Sequence, residues 1–123
     1  MTLQELYSII GGNYAHAQQI MKMDKLIDRY IRKLKSSGVD KQLAEAGKTM
    51  DAEKLFESAH AMKGVCANLG LDELAAAAEI ITEEFRPENS RSMSDEEVKE
   101  KLAEIEALFQ KTLAGIEQYE NGE

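Results

Sequence analysis

The 123-residue chain has no tryptophan, a single proline (Pro87) and a single cysteine (Cys66). One cysteine excludes an internal disulfide and a cysteine-based zinc cluster. The only histidines are His16 and His60, with no paired ligand spacing, so no metal site is expected. No apolar stretch is long enough to span a bilayer. The start, Met1-Thr2-Leu3-Gln4-Glu5, lacks the basic residues and apolar run of a signal peptide, so the cytoplasm is the expected compartment. Basic residues are in the minority: 15 Lys and Arg stand against 23 Asp and Glu, a net charge of −8. Nucleic acid and anionic membranes both recruit clustered Lys and Arg, so neither is an expected partner. Strand signals are also missing. No segment keeps a period-2 alternation, and there is no hairpin turn, repeat or low-complexity tract.

What remains is a helix-rich, soluble composition, 43% hydrophobic and 31% charged, of a length that suits one domain over 1–123 with a bundle core at about 13–120. The spacing predicts a short helix from Thr2 to about Ile10, opened by a Thr2/Glu5 capping box and closed by Gly11-Gly12. Its stripe is Leu3, Leu6, Tyr7 and Ile10. Asn13 then caps one long helix to about Lys35. Its stripe runs through Ala17, Ile20, Met23 or Asp24, Ile27, Tyr30 or Ile31, and Leu34, with Asp24 the weak point. A short helical piece from Asp40 to about Lys48 is expected within the following turn. Asp51 caps a helix to about Leu69, with Gly70 beyond its end. Asp72 caps the next, to about Arg86, where Pro87 stops it. Its seam is Leu71, Leu74, Ala78, Ile81 and Phe85. After a loop at 87–93, a Ser94/Glu97 capping box starts the last helix, to about Tyr119. Val98, Leu102, Ile105, Phe109, Thr112, Ile116 and Tyr119 form a seam with steps of four and three. Four amphipathic helices with short connections predict an all-α fold, an antiparallel up-down four-helix bundle capped by the short N-terminal helix.

One stretch departs from a plain core helix: Ser58-Ala59-His60-Ala61-Met62-Lys63-Gly64-Val65-Cys66-Ala67-Asn68-Leu69-Gly70. Leu55, Ala59, Met62, Cys66 and Leu69 make the apolar stripe, and His60 lies roughly 150° away from its middle. Lys63 and Gly64 follow His60 at i+3 and i+4, with Ala67 a turn further on. A helix-interior glycine costs about 1 kcal/mol relative to alanine. A histidine beside a cation, on a face kept bare by Gly and Ala, reads as a place that something large approaches closely. Cys66 and the methionines read as core filler. The acidic runs Glu83-Glu84 and Asp95-Glu96-Glu97 read as solvated faces and a helix cap.

His60-Ala61-Met62-Lys63-Gly64 followed by Gly70 resembles the signature of histidine-containing phosphotransfer (HPt) domains: His, any residue, an apolar residue, Lys-Gly, then Gly six residues on. Leu55-Phe56 before the His and Leu74 after the Gly strengthen the likeness. The resemblance implies a phosphorelay carrier rather than a kinase. It would accept a phosphoryl group on His60 from a receiver-domain aspartate and pass it to another receiver. Physical chemistry supports each part. A neutral imidazole is a nucleophile near pH 7, and covalent carriage splits an Asp-to-Asp transfer into two steps. Lys63 can reach phosphoryl oxygens, and Gly64 leaves room for in-line approach. No cofactor is expected on this chain; Mg²⁺ is expected on the partner receiver. Phe56 and Ala67 are candidate docking residues. Family members often place Gln or Glu on the next helix to orient the imidazole. Thr82 holds that position by spacing, and its shorter side chain leaves a direct bond, a bridging water or no contact all open. Arg86, four residues on, is a second candidate cation.

Expected partners are response-regulator receivers and a hybrid sensor histidine kinase, with the chain a monomer. Two rivals remain: an HPt substrate domain of a chemotaxis-type kinase, and a four-helix adaptor that binds a receiver without carrying phosphate.

Overall fold

The structure, a computed structural model, describes residues 1–122. They form seven α-helices: α1 (Leu3–Ile10), α2 (Tyr14–Met21), α3 (Asp24–Lys33), α4 (Val39–Thr49), α5 (Ala52–Asn68), α6 (Asp72–Glu84) and α7 (Asp95–Glu120), with one 3₁₀ turn at Leu34–Ser36. No strand occurs among the described residues. Helices α4, α5, α6 and α7 close a ring in which each packs on the next, and α1 and α3 rest against α7. No helix among the described residues is long and apolar enough to cross a membrane.

Both capping boxes form. Thr2 and Glu5 satisfy each other's backbone N–H at the start of α1, and Ser94 and Glu97 do so at α7. Gly11 takes the left-handed conformation beyond α1, and Asn13 and Asp51 cap α2 and α5 through their side chains. The predicted stripes of α1, α5 and α6 are buried throughout, and that of α7 is buried except at half-buried Leu102 and Tyr119. One core cluster results, and each large apolar side chain withdrawn into it contributes about 1.5–3 kcal/mol.

The predicted helix over 13–35 is two helices. Lys22 adopts a left-handed φ of 73°, Met23 is extended, and α3 restarts at Asp24. The reason lies in Asp24, whose charge suits the positive end of a new helix better than the seam of a continuing one. Its carboxylate also ties the break together, accepting from the Tyr14 hydroxyl at 2.6 Å and from Gln18 at 3.2 Å. The register change turns Ile20 and Met23 outward, 40% and 53% exposed, and resolves the other ambiguity for Ile31 over Tyr30. The Asp40 segment is likewise more than a turn, since α4 packs on both α5 and α7. Asp72 does not cap α6. Leu71 holds the N-cap position without a side-chain bond, and Asp72 Oδ1 lies 2.7 Å from His16 Nδ1 instead.

Three long-range bonds fix α5 and its surroundings. The buried Tyr7 hydroxyl donates to the Leu69 carbonyl at 2.7 Å, tying α1 to the end of α5. The Asn13 N–H donates to the Gly70 carbonyl at 2.8 Å, seating α2 there too. The Tyr119 hydroxyl donates to Asp28 at 2.5 Å, and Arg32 lies over the Tyr119 ring, joining α3 to α7. Cys66 is buried, and burial pushes its thiol up to about 12.

Glu84 corrects the reading of Glu83-Glu84 as a solvated face. It is buried and accepts from the Ser92 N–H, the Met93 N–H and the Ser92 hydroxyl at 2.8–3.0 Å, with Arg91 beside it. It thus anchors the loop after Pro87 to the end of α6. Burial alone would raise its carboxyl, but the bonds from Met93, Ser92 and Arg91 outweigh it and hold the group below its ordinary value of 4.5. A depressed carboxyl stabilises the fold above its unfolded value and loses that contribution as pH falls through the folded one. Glu84→Gln should therefore lower stability at pH 7 by about 1–3 kcal/mol, as expected for removing charged hydrogen bonds, and the gap from wild type should close on acidification. Urea titrations at pH 7 and pH 3 check this; a gap unchanged at pH 3 would contradict it.

Candidate functional site

Helix α5 carries the site because its two faces differ. Leu55, Ala59, Met62 and Cys66 face the core, which forces His60 and Gly64 outward, and both are exposed. The space where a Gly64 Cβ would stand is open, with no atom within 4 Å. Its glycine therefore answers to no internal contact.

His60 is flanked on its N-terminal side by Phe56, one turn earlier. The two rings stack with centroids 5.7 Å apart and planes 23° apart. The Arg86 guanidinium lies over the Phe56 ring at 5.3 Å from its centroid. Phe56, half-buried, thus neighbours both the imidazole and the guanidinium. Ala67 is half-buried, further along the same face.

Both cations near His60 are already paired by carboxylates of α6. Lys63 forms an ion pair with Glu79. Glu79 Oε2 is shielded from solvent and has no hydrogen-bond partner beyond that ion pair. Arg86 donates to Glu83 Oε2 from Nε at 2.7 Å and Nη2 at 2.6 Å, with Glu88 3.9 Å away. The bond from Arg86, with Lys63 nearby, holds the Glu83 carboxyl below its ordinary value, and Glu83 raises Arg86 in turn.

Of the options left open for Thr82, a direct hydrogen bond from its hydroxyl to His60 does not form. Thr82 is fully buried, and its hydroxyl donates to the Ala78 carbonyl at 2.9 Å, the usual back-bond of a helical threonine. The polar positions of α6 on the Lys63 side are Glu79 and Glu83. Neither announces a role in the sequence, although Glu79 and Glu83, four residues apart, share one face of α6.

On the other flank of α5, Ile20, Met21 and Tyr30 line an apolar groove with Val65 and Asn68. Ile20 and Tyr30 are 40% and 42% exposed. No group of His, Cys, Asp and Glu among the described residues could hold a metal ion.

A family model, the Hpt domain, matches residues 18–118. The chain belongs to the Hpt domain family. No curated protein and no solved structure matches it. Membership implies a phosphorelay histidine carrier in two-component signalling, a family whose members interact with receiver domains of response regulators. The match runs from within α2 into the last turn of α7 and contains all of α5 and α6, the helices around His60.

Proposed function

We propose that this Hpt domain takes a phosphoryl group from a receiver aspartate onto His60 Nε2 and passes it to a second receiver. The observation that carries the reading is the pairing of an exposed His60 with open space at Gly64, on a helix whose other face is core. The Nε2 lone pair forms the N–P bond as the P–O bond to the receiver aspartate breaks, and the electron pair leaves with the carboxylate. Return transfer reverses these changes, and the Nδ1 proton stays on the ring throughout. Lys63 steadies the phosphoryl oxygens, and Arg86 adds positive potential from across Phe56. The receiver supplies any Mg²⁺. It docks over Gly64 and Ala67 and extends onto the groove of Ile20, Tyr30 and Val65. In this arrangement α4 to α7 run up and down as a four-helix bundle, with α1 capping it.

The test is to load a receiver with phosphate and mix it with the chain. Label should move to the chain in a linkage that is labile in acid and stable in base, as a phosphohistidine is. Transfer from a chemotaxis-type kinase alone, with none from any receiver, would favour the substrate-domain reading. No label from either would favour the adaptor.

Gly64→Gln separates access from folding. A Cβ at this position meets nothing within 4 Å, and replacing a helical glycine should raise stability by about 0.5–1 kcal/mol. It would nonetheless stand where the receiver must come, and displacing an in-line approach by about 1 Å costs on the order of 100-fold in rate. Stopped-flow or quench kinetics should show that loss beside a raised Tm. Transfer at the wild-type rate would remove Gly64 from the interface.

A further inference from the structure

The two cations beside His60 are paired before any phosphate arrives. Lys63 and Arg86 are the cations, and Glu79 and Glu83 are their partners on consecutive turns of α6. A phosphoryl group on His60 would therefore meet two cations that each already have a carboxylate partner. The two pairs differ in kind. Glu83 is tied to Arg86 by two close donors three residues away on its own chain segment. Glu79 reaches across from α6 to Lys63 on α5, the helix of His60, and its shielded Oε2 has no further partner. The cation one turn from His60 is thus the one held by a carboxylate from the neighbouring helix.

We propose that Glu79 is a positioning residue that competes with the phosphoryl group for Lys63 and so biases the carrier toward giving phosphate up. This rests on the reading of the chain as a phosphoryl carrier. In the loaded state Lys63 must divide between the Glu79 carboxylate and the phosphoryl oxygens. The competition weakens the hold on phosphate without touching the reacting atoms. In transfer out, a receiver carboxylate oxygen forms the O–P bond, the N–P bond breaks, and its electron pair returns to Nε2. Lys63 then falls back to Glu79, which stabilises the unloaded side of the exchange.

The measurement is the equilibrium ratio of phosphohistidine to phosphoaspartate with one fixed receiver, for wild type, Glu79→Gln, Lys63→Ala and the double variant. Glu79→Gln keeps the shape and removes the charge. It should shift the ratio toward phosphohistidine by about threefold, the scale of a partly exposed ion pair. In the Lys63→Ala background the same substitution should leave the ratio unmoved. An unmoved ratio in the single variant overturns the proposal, as does an equal shift in both backgrounds, which would mean that Glu79 acts on the phosphate directly or through the fold. Wild type that takes up no label would overturn the carrier reading and this proposal together. Labelled wild type with an unmoved Glu79→Gln ratio overturns this proposal alone.

Discussion

His60→Gln should take up no acid-labile phosphate from a receiver that loads the wild-type chain fully. The expected effect is total because the substitution removes the nucleophile and little else. A glutamine amide nitrogen has its lone pair delocalised into the carbonyl and cannot attack phosphorus, whereas a neutral imidazole nitrogen can. His60 is exposed, and its ring rests on the stacked ring of Phe56. Surface substitutions of that kind usually alter stability by no more than about 0.5 kcal/mol. A lost label with an unchanged melting curve therefore reads on chemistry. The chain supplies its own control in His16, which lies against Asp72 at the start of α6. His16→Gln should load as wild type does. Acid-labile label persisting in His60→Gln and vanishing in His16→Gln would move the site, and with it the roles of Lys63, Gly64 and Glu79.

The features legible in the sequence share one property: each depends on residues near one another in the chain. The capping boxes at Thr2/Glu5 and Ser94/Glu97 are local bonds, and they form as the spacing predicts. The stripe of α7 stays buried from Val98 to Ile116, apart from half-buried Leu102, because the helix packs on α1, α3, α4 and α6 along its length. His60 and Gly64 point outward because their own helix leaves them no other direction. The features that escaped depend on how two helices sit against each other. Thr82 and Glu79 are three residues apart on α6, and only the register of α6 on α5 decides that Glu79 meets Lys63 while Thr82 is buried. Glu84 looks like Glu83 in the chain, yet it turns into the loop and becomes buried there. The break at Lys22 lies between these cases. Its signal, an acidic residue in an apolar seam, is present at Asp24, but a lysine in the left-handed conformation is not a turn residue that composition announces.

The second large effect concerns the glycine that closes the motif. Gly70→Ala should destabilise the chain by about 3 kcal/mol, more than half of it from a contact that a helix-end reading does not contain. A left-handed position costs a residue with a Cβ roughly 1–2 kcal/mol, and Gly70 has a φ of 68°. A Cβ there would also stand 2.4 Å from the Asn13 carbonyl oxygen and 2.9 Å from the Ala17 nitrogen. Both are backbone atoms at the start of α2, which cannot swing aside as a side-chain tip would. Overpacking of this kind costs about 1–3 kcal/mol. The Asn13 N–H also donates to the Gly70 carbonyl, so relief by moving α2 away would break what seats it. Gly38 isolates the two causes: its φ is 75°, but nothing lies within 4 Å of its Cβ direction. Gly38→Ala should cost only the conformational part, about 1 kcal/mol. Urea midpoints of the two variants check the difference, and equal costs would show that α2 yields freely. If it does not yield, Gly70 belongs to the motif because it lets α2 reach the end of α5, and α2 brings Ile20 and Met21 to the groove along α5 at Val65 and Asn68.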